Sequence, residues 1–553
     1  AAGAFAVAAA GCAEVDVEDA WTYDGPVNAC DSDDDCATGS CHPELARCVV
    51  DPPATGAAYW VRVTPDGADG VPAQVFRVEL DGDGDAASDL PLRRPVVVQG
   101  ATLAGEEDLQ GEVVFIDEGN RLPGRSARRT VYESNGGAFN LELLPGGYDL
   151  IALPEGEQAD AYPPSYLDDV ELTPLGRLID PDDPDTPLDL VVPAPRWTVV
   201  GQILQGGVPV NGLTVQALDG AKERLASTTD VTACEDGAGC GRFAVQLAGG
   251  LDSFVLRISR PEQDHHPVIE IEGFVPDDEE DVIDLTGDAR LELPVLGAPL
   301  RYLARVERPV RSPTGAVYQD PAPGCFVLFA GQDVGGGIVE RWVRTNESGA
   351  LEESEGVVGV TLYPGAYRVE VIPDEALADA ITDYTPYVSA DPFTITGSGE
   401  IGGQVFPLSF RPLVAGEVLA GGEAVPRATL QAEPTSWDAG APRSSTAGSG
   451  FDGDFGIWLD PATYRVVVEA PVESGYGWSL ATLEVTGNAE RDLSLPVPFA
   501  ATARVTASGE QVDPVDAGGA VVEWFREIDG RAYGVGRAVA DEDGRVTALL
   551  PPL

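Results

Sequence analysis

The chain of 553 residues contains no methionine, a single lysine and only three histidines, His42, His265 and His266. A zinc peptidase needs a spaced set of His and Glu ligands, and a serine hydrolase needs an oriented base beside its nucleophile. Neither a His-Glu-x-x-His pattern nor a Gly-x-Ser-x-Gly elbow occurs. Carboxylates are so numerous that no pair stands out as a glycosidase acid and base. The sequence therefore predicts a protein that is not an enzyme and has no organic cofactor.

Positive charge is also scarce. The chain has 34 Lys and Arg residues against 92 Asp and Glu residues, which gives a net charge of -58. Such a surface repels phosphate backbones and anionic lipid head groups, so nucleic acid is excluded as a partner. The charge favours solubility or cation binding instead.

Long apolar runs are absent, and only the start of the chain resembles a targeting segment. Residues 1–10 are small and apolar and are followed by Gly11-Cys12, which resembles the end of a bacterial lipoprotein signal. In that interpretation residues 1–12 are the signal end and lipobox, and Cys12 carries the lipid that anchors the protein in a membrane. The alternative is an ordinary secretory signal with an incidental cysteine. We expect a bacterial outer-membrane or cell-surface location, or otherwise a secreted or periplasmic one. Without a methionine, the chain is interpreted as part of a longer reading frame.

Cysteines cluster near the N-terminus. After an acidic tether, residues 13–29, the segment 30–50 holds Cys30, Cys36, Cys41 and Cys48, too little chain for a hydrophobic core without crosslinks. Two disulfides with three possible connectivities are predicted; a zinc site that includes His42 is the alternative, although no Cys-x-x-Cys occurs. Cys234 and Cys240 predict a third disulfide, and Cys325 a buried thiol.

One sequence unit recurs along the chain. In residues 137–151 apolar residues alternate with polar ones, Pro145-Gly146-Gly147 forms a turn, and Tyr148 opens a second alternating run, which is typical of strand, turn, strand. Further copies occur at residues 241–250, 360–369 and 454–466. A last copy, residues 544–552, ends in its turn, so a Tyr-containing closing strand is expected to follow. Because only the apolar alternation, the turn and the aromatic recur, the unit is interpreted as a folding element.

These copies place the chain in the all-β class, as tandem sandwiches. Proline at each junction limits strand pairing and stiffens the link, which predicts an extended rod. The predicted divisions after the Cys-rich module are a short β region (51–94), sandwich repeats 1 to 4 (95–193, 194–297, 298–411 and 412–497) and a partial repeat 5 (498–553).

The repeats resemble the carboxypeptidase regulatory-like domain, a transthyretin-like, Ig-like β-sandwich related in shape to collagen-adhesin B-type repeats. The resemblance rests on an opening Gly-x-Val/Ile, as at Gly201 and Gly416, and on the closing Leu-x-Pro-Gly-x-Tyr. It implies a fold and hardly any function. The Lys-to-Asn crosslink of B-type repeats could come here only from Lys222. The spacing of the first four cysteines resembles small modules of myxobacterial surface lipoproteins, which implies alternating pairing.

Two sets of residues are candidate ligand sites. Asp81, Asp83 and Asp85 alternate as in the start of a calcium loop, but Leu92 stands where a bidentate acid is expected; the alternative is a solvated acidic turn. Trp437, Tyr476 and Trp478 lie in Gly- and Ser-containing loop sequence of repeat 4. They could stack on sugars or anchor a protein, or else cover the end of a sheet.

The sequence as a whole predicts a non-enzymatic cell-surface or secreted scaffold of the adhesion type. One alternative is an array of modules that bind an extracellular glycan or protein. The other is the non-catalytic part of a larger secreted enzyme whose catalytic domain lies beyond residue 553.

Overall fold

The computed structural model describes residues 23, 25–53, 57–66, 71–135, 137–235, 239–261, 263, 265–277, 279–312, 314–346, 350–353, 357–373, 384–389, 391–396, 400–435, 442–507 and 518–552. Within these ranges the chain is built of β-strands and short 3-10 turns, which confirms the all-β class. No helix of the described residues is long and apolar enough to cross a membrane.

The four complete repeats share one strand plan. In repeat 2 the opening strand, Trp197–Gln202, pairs antiparallel with Gly239–Leu247 and parallel with Val282–Leu285 near the end of the repeat. The second sheet places Phe254–Ser259 between Thr214–Asp219 and Ile269–Phe274. The alternating apolar side chains of both sheets meet in one buried core. Each of these sandwiches therefore closes by pairing a strand near its end, in parallel, with a strand near its start.

The recurring unit is a connection between sheets. In repeat 4 the strand before the turn, Asp454–Trp458, pairs with the opening strand Leu413–Ala420. The strand after the turn, Ala462–Glu469, belongs to the other sheet, where it pairs with Thr429–Pro434 and Ser479–Val485. The two strands of the unit thus do not pair with each other, and the turn carries the chain across the end of the sandwich.

The tyrosine that recurs in copies of this unit has a structural role. The hydroxyl of Tyr148 donates to the backbone oxygen of Leu144 at 2.7 Å, and the hydroxyl of Tyr367 donates to that of Tyr363 at 2.9 Å. Both rings are buried. Each tyrosine therefore fastens the second sheet to the turn that leads into it.

We expect Tyr148→Phe to destabilise repeat 1 by about 1–3 kcal/mol, because the buried oxygen of Leu144 loses its donor. Tyr59→Phe is the matched control, since the buried Tyr59 hydroxyl has no hydrogen-bond partner among the described residues. That variant should leave stability unchanged or raise it. Native-state hydrogen exchange of the affected strands measures both effects, and equal losses in the two variants would contradict the assignment.

Residues 57–92 and residues 499–550 build one further sandwich, which we call the composite sandwich. Ala57–Thr64 pairs with Val521–Ile528, and Leu90–Leu92 lies parallel to Phe499–Ala507. Tyr59 is 1% exposed and packs edge-on against Trp524, which is fully buried. A single core joins the two segments. The division into a separate β region, residues 51–94, and a partial repeat, residues 498–553, is therefore wrong.

The strand order explains this association. The C-terminal segment supplies the opening strand and the strand before the turn, Arg545–Leu550. Ala57–Thr64 occupies the place of the strand after the turn, and Tyr59 occupies the place of its tyrosine. The closing strand Leu90–Leu92 is parallel to the opening strand, as in the other repeats. The composite sandwich is thus a circularly permuted repeat, and its apolar faces stay buried only when the two segments pair.

The chain path consequently closes on itself, unlike the rod with separate ends that the short linkers predict. Neighbouring units along this closed path also contact one another. Repeats 1 and 2 meet through Arg224 and Asp168. Repeats 2 and 3 share a bridge in which Val268 and Ile338 exchange backbone hydrogen bonds of 2.7 and 2.9 Å. The composite sandwich contacts repeat 1, where the Ala532 amide donates to Pro123 at 2.8 Å.

The strands have the following bounds. The Cys-rich module contains Ser40–His42 and Arg47–Val49. The composite sandwich contains Ala57–Thr64, Gln74–Leu80, Leu90–Leu92, Phe499–Ala507, Val521–Ile528, Arg531–Val539 and Arg545–Leu550. Repeat 1 contains Val96–Val97, Ala101–Ala104, Glu107–Asp108, Gln110–Asp117, Arg128–Asn135, Gly137–Ala138, Glu142–Leu143, Gly146–Pro154, Ser165–Leu172, Leu178–Asp180, Asp183–Pro187 and Leu190–Val192. Repeat 2 contains Trp197–Gln202, Leu204–Gln205, Val208–Pro209, Thr214–Asp219, Asp230–Val231, Ala233–Glu235, Gly239–Leu247, Phe254–Ser259, Ile269–Phe274, Val282–Leu285 and Glu292–Leu293.

Repeat 3 contains Leu300–Arg311, Val317–Pro321, Phe326–Val334, Gly337–Thr345, Leu351–Glu353, Val357–Val358, Val360–Leu362, Gly365–Ile372, Tyr384–Thr385, Tyr387–Val388, Phe393–Ile395, Glu400–Pro407 and Ser409–Phe410. Repeat 4 contains Leu413–Ala420, Glu423–Ala424, Thr429–Pro434, Ser445–Gly448, Asp454–Trp458, Ala462–Glu469, Ser479–Val485, Ala489–Glu490 and Leu493–Leu495. The 3-10 turns are Asp33–Asp35, Gly156–Gln158, Ala289–Leu291 and Val472–Ser474.

Candidate functional site at the inter-domain junctions

The Cys-rich module is held by Cys30–Cys41 and Cys36–Cys48 disulfides, the alternating arrangement. Three of these sulfurs lie close enough together to resemble a metal site. A sulfur in a disulfide is not the thiolate that zinc requires, so these bonds and a zinc site are mutually exclusive.

This module and Asn28, which lies just before it, dock on repeat 4. The buried Asn28 donates its backbone amide to Ser474 at 2.7 Å and its side-chain amide to Gly475 at 3.1 Å. Arg47 donates to the backbone oxygen of Glu473 at 3.2 Å. The module therefore meets the 3-10 turn of a unit that lies more than four hundred residues further along the chain.

One carboxylate joins three units. Glu433, on a strand of repeat 4, lies 2.7 Å from Arg125 of repeat 1 and 3.1 Å from Arg531 of the composite sandwich. The guanidinium groups approach its two different oxygens, so the carboxylate bridges both neighbours at once. We call this arrangement the three-way junction.

One aromatic candidate from the sequence, Trp478, lines the same cavity as Glu433 of this junction. Trp478 packs against the core of repeat 4 and reaches the composite sandwich, where a Cβ placed on Gly534 would lie 3.1 Å from its ring. Tyr476 packs against the same core of repeat 4. Both rings are partly buried, the arrangement expected of aromatics that cover a sheet end. Trp437 lies outside the described residues.

A second charged cluster lies where repeat 3 meets repeat 4. The buried carboxylate of Asp460 is 3.1 Å from the Arg411 guanidinium and 3.2 Å from that of Arg443. Arg443 also donates to the backbone oxygen of Tyr384, in repeat 3. The Asp460 amide donates to the hydroxyl of Tyr464 at 3.0 Å, and burial raises the pKa of Tyr464 to about 12. This cluster thus ties the turn of repeat 4 to repeat 3. The sequence gives no local signal for it, since its members are spread over residues 384–464.

The candidate calcium residues lie in an exposed turn. The carboxylate of Asp81 accepts the backbone amides of Asp83 and Asp85, each at 2.9 Å. The same turn recurs at Asp541, which accepts the amides of Asp543 and Arg545. The structure therefore gives Asp81 a role in capping the turn, and calcium binding at these residues stays a prediction.

The histidines serve as surface or packing groups. His42 lies in a strand of the Cys-rich module, where its ring accepts the amide of Leu45 at 3.3 Å. His265 and His266 both pack on the ring of Tyr363, with centroid separations of 5.6 and 6.0 Å. Because Tyr363 belongs to repeat 3, the two histidines are part of the junction between repeats 2 and 3.

We expect this junction to weaken in acid. Burial lowers the pKa of His266 below its ordinary value of 6.5, and the charges of Arg260 and His265 act in the same direction. The unfolded chain then binds the proton more readily, so stability falls as the pH drops below about 6.5. Between pH 7.5 and 5, the melting temperature of the wild type should fall further than that of His266→Gln. Parallel curves for the two proteins would contradict this coupling.

The remaining residues singled out in the sequence form a disulfide, a buried thiol and a surface ion pair. Cys234 and Cys240 form a disulfide that closes a loop before the strand Gly239–Leu247. Cys325 is fully buried in the core of repeat 3. The Lys222 amine lies 3.1 Å from Glu270, in a surface ion pair that also includes Glu272. Cys12 lies outside the described residues.

No protein-family model and no curated protein matches the chain. Among solved structures it is similar to a streptococcal ancillary pilin, at 12% identity over 54% of this chain and 98% of that chain, with a TM-score of 0.22. It is also similar to the shaft pilin SpaA of Lactobacillus rhamnosus GG, at 11% identity over 36% and 98% of the two chains, with a TM-score of 0.19. The major pilin subunit of Bacillus cereus matches at 8% identity over 54% and 99%, with a TM-score of 0.16. Such TM-scores carry no argument about function, and the sandwich fold rests on the strand pairing itself.

Proposed function

We propose that the chain is a non-enzymatic scaffold of a bacterial surface lipoprotein, built of carboxypeptidase regulatory-like sandwiches and displayed through a lipid on Cys12. The observation that carries the proposal is the composite sandwich, which joins residues 57–92 and residues 499–550 in one core. A linker or spacer does not need this closure, whereas a scaffold that must keep its modules in fixed positions benefits from it.

The contacts between units support the same role. Hydrogen bonds, ion pairs and packed rings occupy the junctions, including the three-way junction at Glu433. Each histidine contacts neighbouring structure, and the most deeply buried carboxylate of the described residues, Asp460, pairs with two arginines. These groups position modules relative to one another.

Cell fractionation tests the proposed anchor and display. In cells that produce the full protein, the wild type should partition with membranes and be cleaved by protease added outside the cell. Cys12→Ser should release the protein into the soluble fraction, with Cys325→Ser as a control that keeps the anchor. Membrane partition of Cys12→Ser would overturn the anchor, and protection from external protease in the wild type would overturn surface display.

A further inference from the structure

The junction between repeats 3 and 4 contains a cleft of about 1190 Å³ beside the Asp460 cluster. Its walls come from both repeats and include Arg311 and Phe410 on one side, Trp458 and Asn488 on the other, and Arg411 at its base. Its volume lies slightly above the range of about 300–1,000 Å³ typical of small-ligand pockets, and junctions between domains are a preferred place for such pockets.

The base of the cleft is held rigidly. Arg411 is 6% exposed and is fixed by Asp460 and by the Ser445 hydroxyl, which accepts a hydrogen bond from it at 2.9 Å. Arg443 crosses the junction to Tyr384, so both walls are fastened at the same point. A ligand would thus meet a largely formed site, which lowers the entropy cost of binding.

The groups that line the cleft define a chemistry. Trp458 is 40% exposed, an indole surface that a sugar ring can cover. The exposed guanidinium of Arg311 lies 5.1 Å above the ring of Phe410, where it can pair with a carboxylate. Hydroxyl and amide groups of Thr385, Ser409 and Asn488 add hydrogen-bonding capacity. The cleft combines an aromatic platform, an arginine and neutral polar groups.

We propose that this cleft binds a saccharide that carries a carboxylate, with its ring on Trp458 and its charge at Arg311. This binding activity goes beyond the scaffold role and does not depend on it. The protein's net charge of -58 limits how much negative charge the bound saccharide can carry. At physiological ionic strength the repulsion from distant carboxylates is screened beyond about 8 Å, but a densely sulfated chain would still meet it along its length. A saccharide with one carboxylate is therefore favoured over a polyanion.

The purified full chain can be tested on a glycan array that pairs uronate-terminated oligosaccharides with their neutral counterparts and with heparin fragments. We expect the single-carboxylate members to bind better than both comparison groups. Calorimetry with glucuronosyl-glucose and with cellobiose, its neutral counterpart, should then show at least tenfold weaker binding of the neutral sugar.

Matched variants separate this site from general surface effects. Trp458→Ala and Arg311→Ala should each weaken binding of glucuronosyl-glucose at least tenfold. Trp342→Ala removes an indole that is 47% exposed elsewhere, and Arg344→Ala removes a guanidinium that lies 5.1 Å above Phe326; both should bind as the wild type does. No binding of any carboxylate-bearing saccharide, a preference for heparin, or unchanged affinity in Trp458→Ala would overturn the proposal.

Discussion

Trp524→Ala is expected to expose residues 57–92 and residues 499–550 to protease at the same time. Trp524 is fully buried in the composite sandwich and contacts Tyr59, which comes from the other end of the sequence. Removing a buried tryptophan costs about 3–5 kcal/mol, a large part of the stability of a single small domain. Limited proteolysis of the intact protein should therefore cut within residues 57–92 as readily as within residues 499–550.

The control for this experiment is Trp342→Ala, which removes an exposed indole from repeat 3 and should leave the digestion pattern unchanged. Mass spectrometry of the first fragments identifies the cut sites. If Trp524→Ala increased cleavage only in the C-terminal segment, the two segments would not share a core.

The second large effect is expected at the junction of repeats 3 and 4. Asp460→Ala leaves the buried Arg411 without its carboxylate, which costs about 3–5 kcal/mol. For a unit the size of repeat 4, this loss lowers the melting temperature by more than about 10 °C. Differential scanning calorimetry measures the shift of the corresponding transition.

A double variant separates loss of charge pairing from loss of packing. Asp460→Leu combined with Arg411→Met removes the two most deeply buried charges and leaves Arg443, which keeps its hydrogen bond to Tyr384, so it should recover part of the stability that Asp460→Ala loses. Asp168→Ala is the comparison for an exposed pair, because Asp168 meets Arg224 at the surface and such pairs contribute about 0–1 kcal/mol. If the double variant were no more stable than Asp460→Ala, the charge argument would fail.

Local pattern was sufficient to predict the sandwich class and most strands, although the strand expected before the turn at Pro145 is interrupted between Gly137–Ala138 and Glu142–Leu143. Alternation around Phe139 and Tyr148 reports one buried face, and both side chains are buried. The same alternation says nothing about which strand lies alongside, since pairing depends on residues far away in the sequence. This is why the sheet-to-sheet path of the recurring unit was not apparent.

The composite sandwich had a signal that could have been found. Gly56-Ala57-Ala58-Tyr59 resembles the turn and tyrosine of the recurring unit, as in Gly365-Ala366-Tyr367, with one additional alanine, while the last copy lacks that part. The last copy of the unit lacks its tyrosine-containing strand, and the segment around Tyr59 lacks the strand that should precede it. These two incomplete parts are therefore expected to associate. The Asp460 cluster had no comparable signal, because an arginine and an aspartate separated by tens of residues reveal their proximity only in three dimensions. Trp478 was predicted as a candidate stacking ring, but its surroundings depend on Gly534 of the composite sandwich.

The composite sandwich also determines how the protein would carry a mechanical load. Tension applied between residue 57 and residue 550 enters one domain at both points and is borne by the ladders that join Ala57–Thr64 to Val521–Ile528 and Leu90–Leu92 to Phe499–Ala507. While those ladders hold, repeats 1 to 4 lie outside the line of force and do not extend. If those ladders ruptured, the more than four hundred residues between the two segments would come under tension in one step.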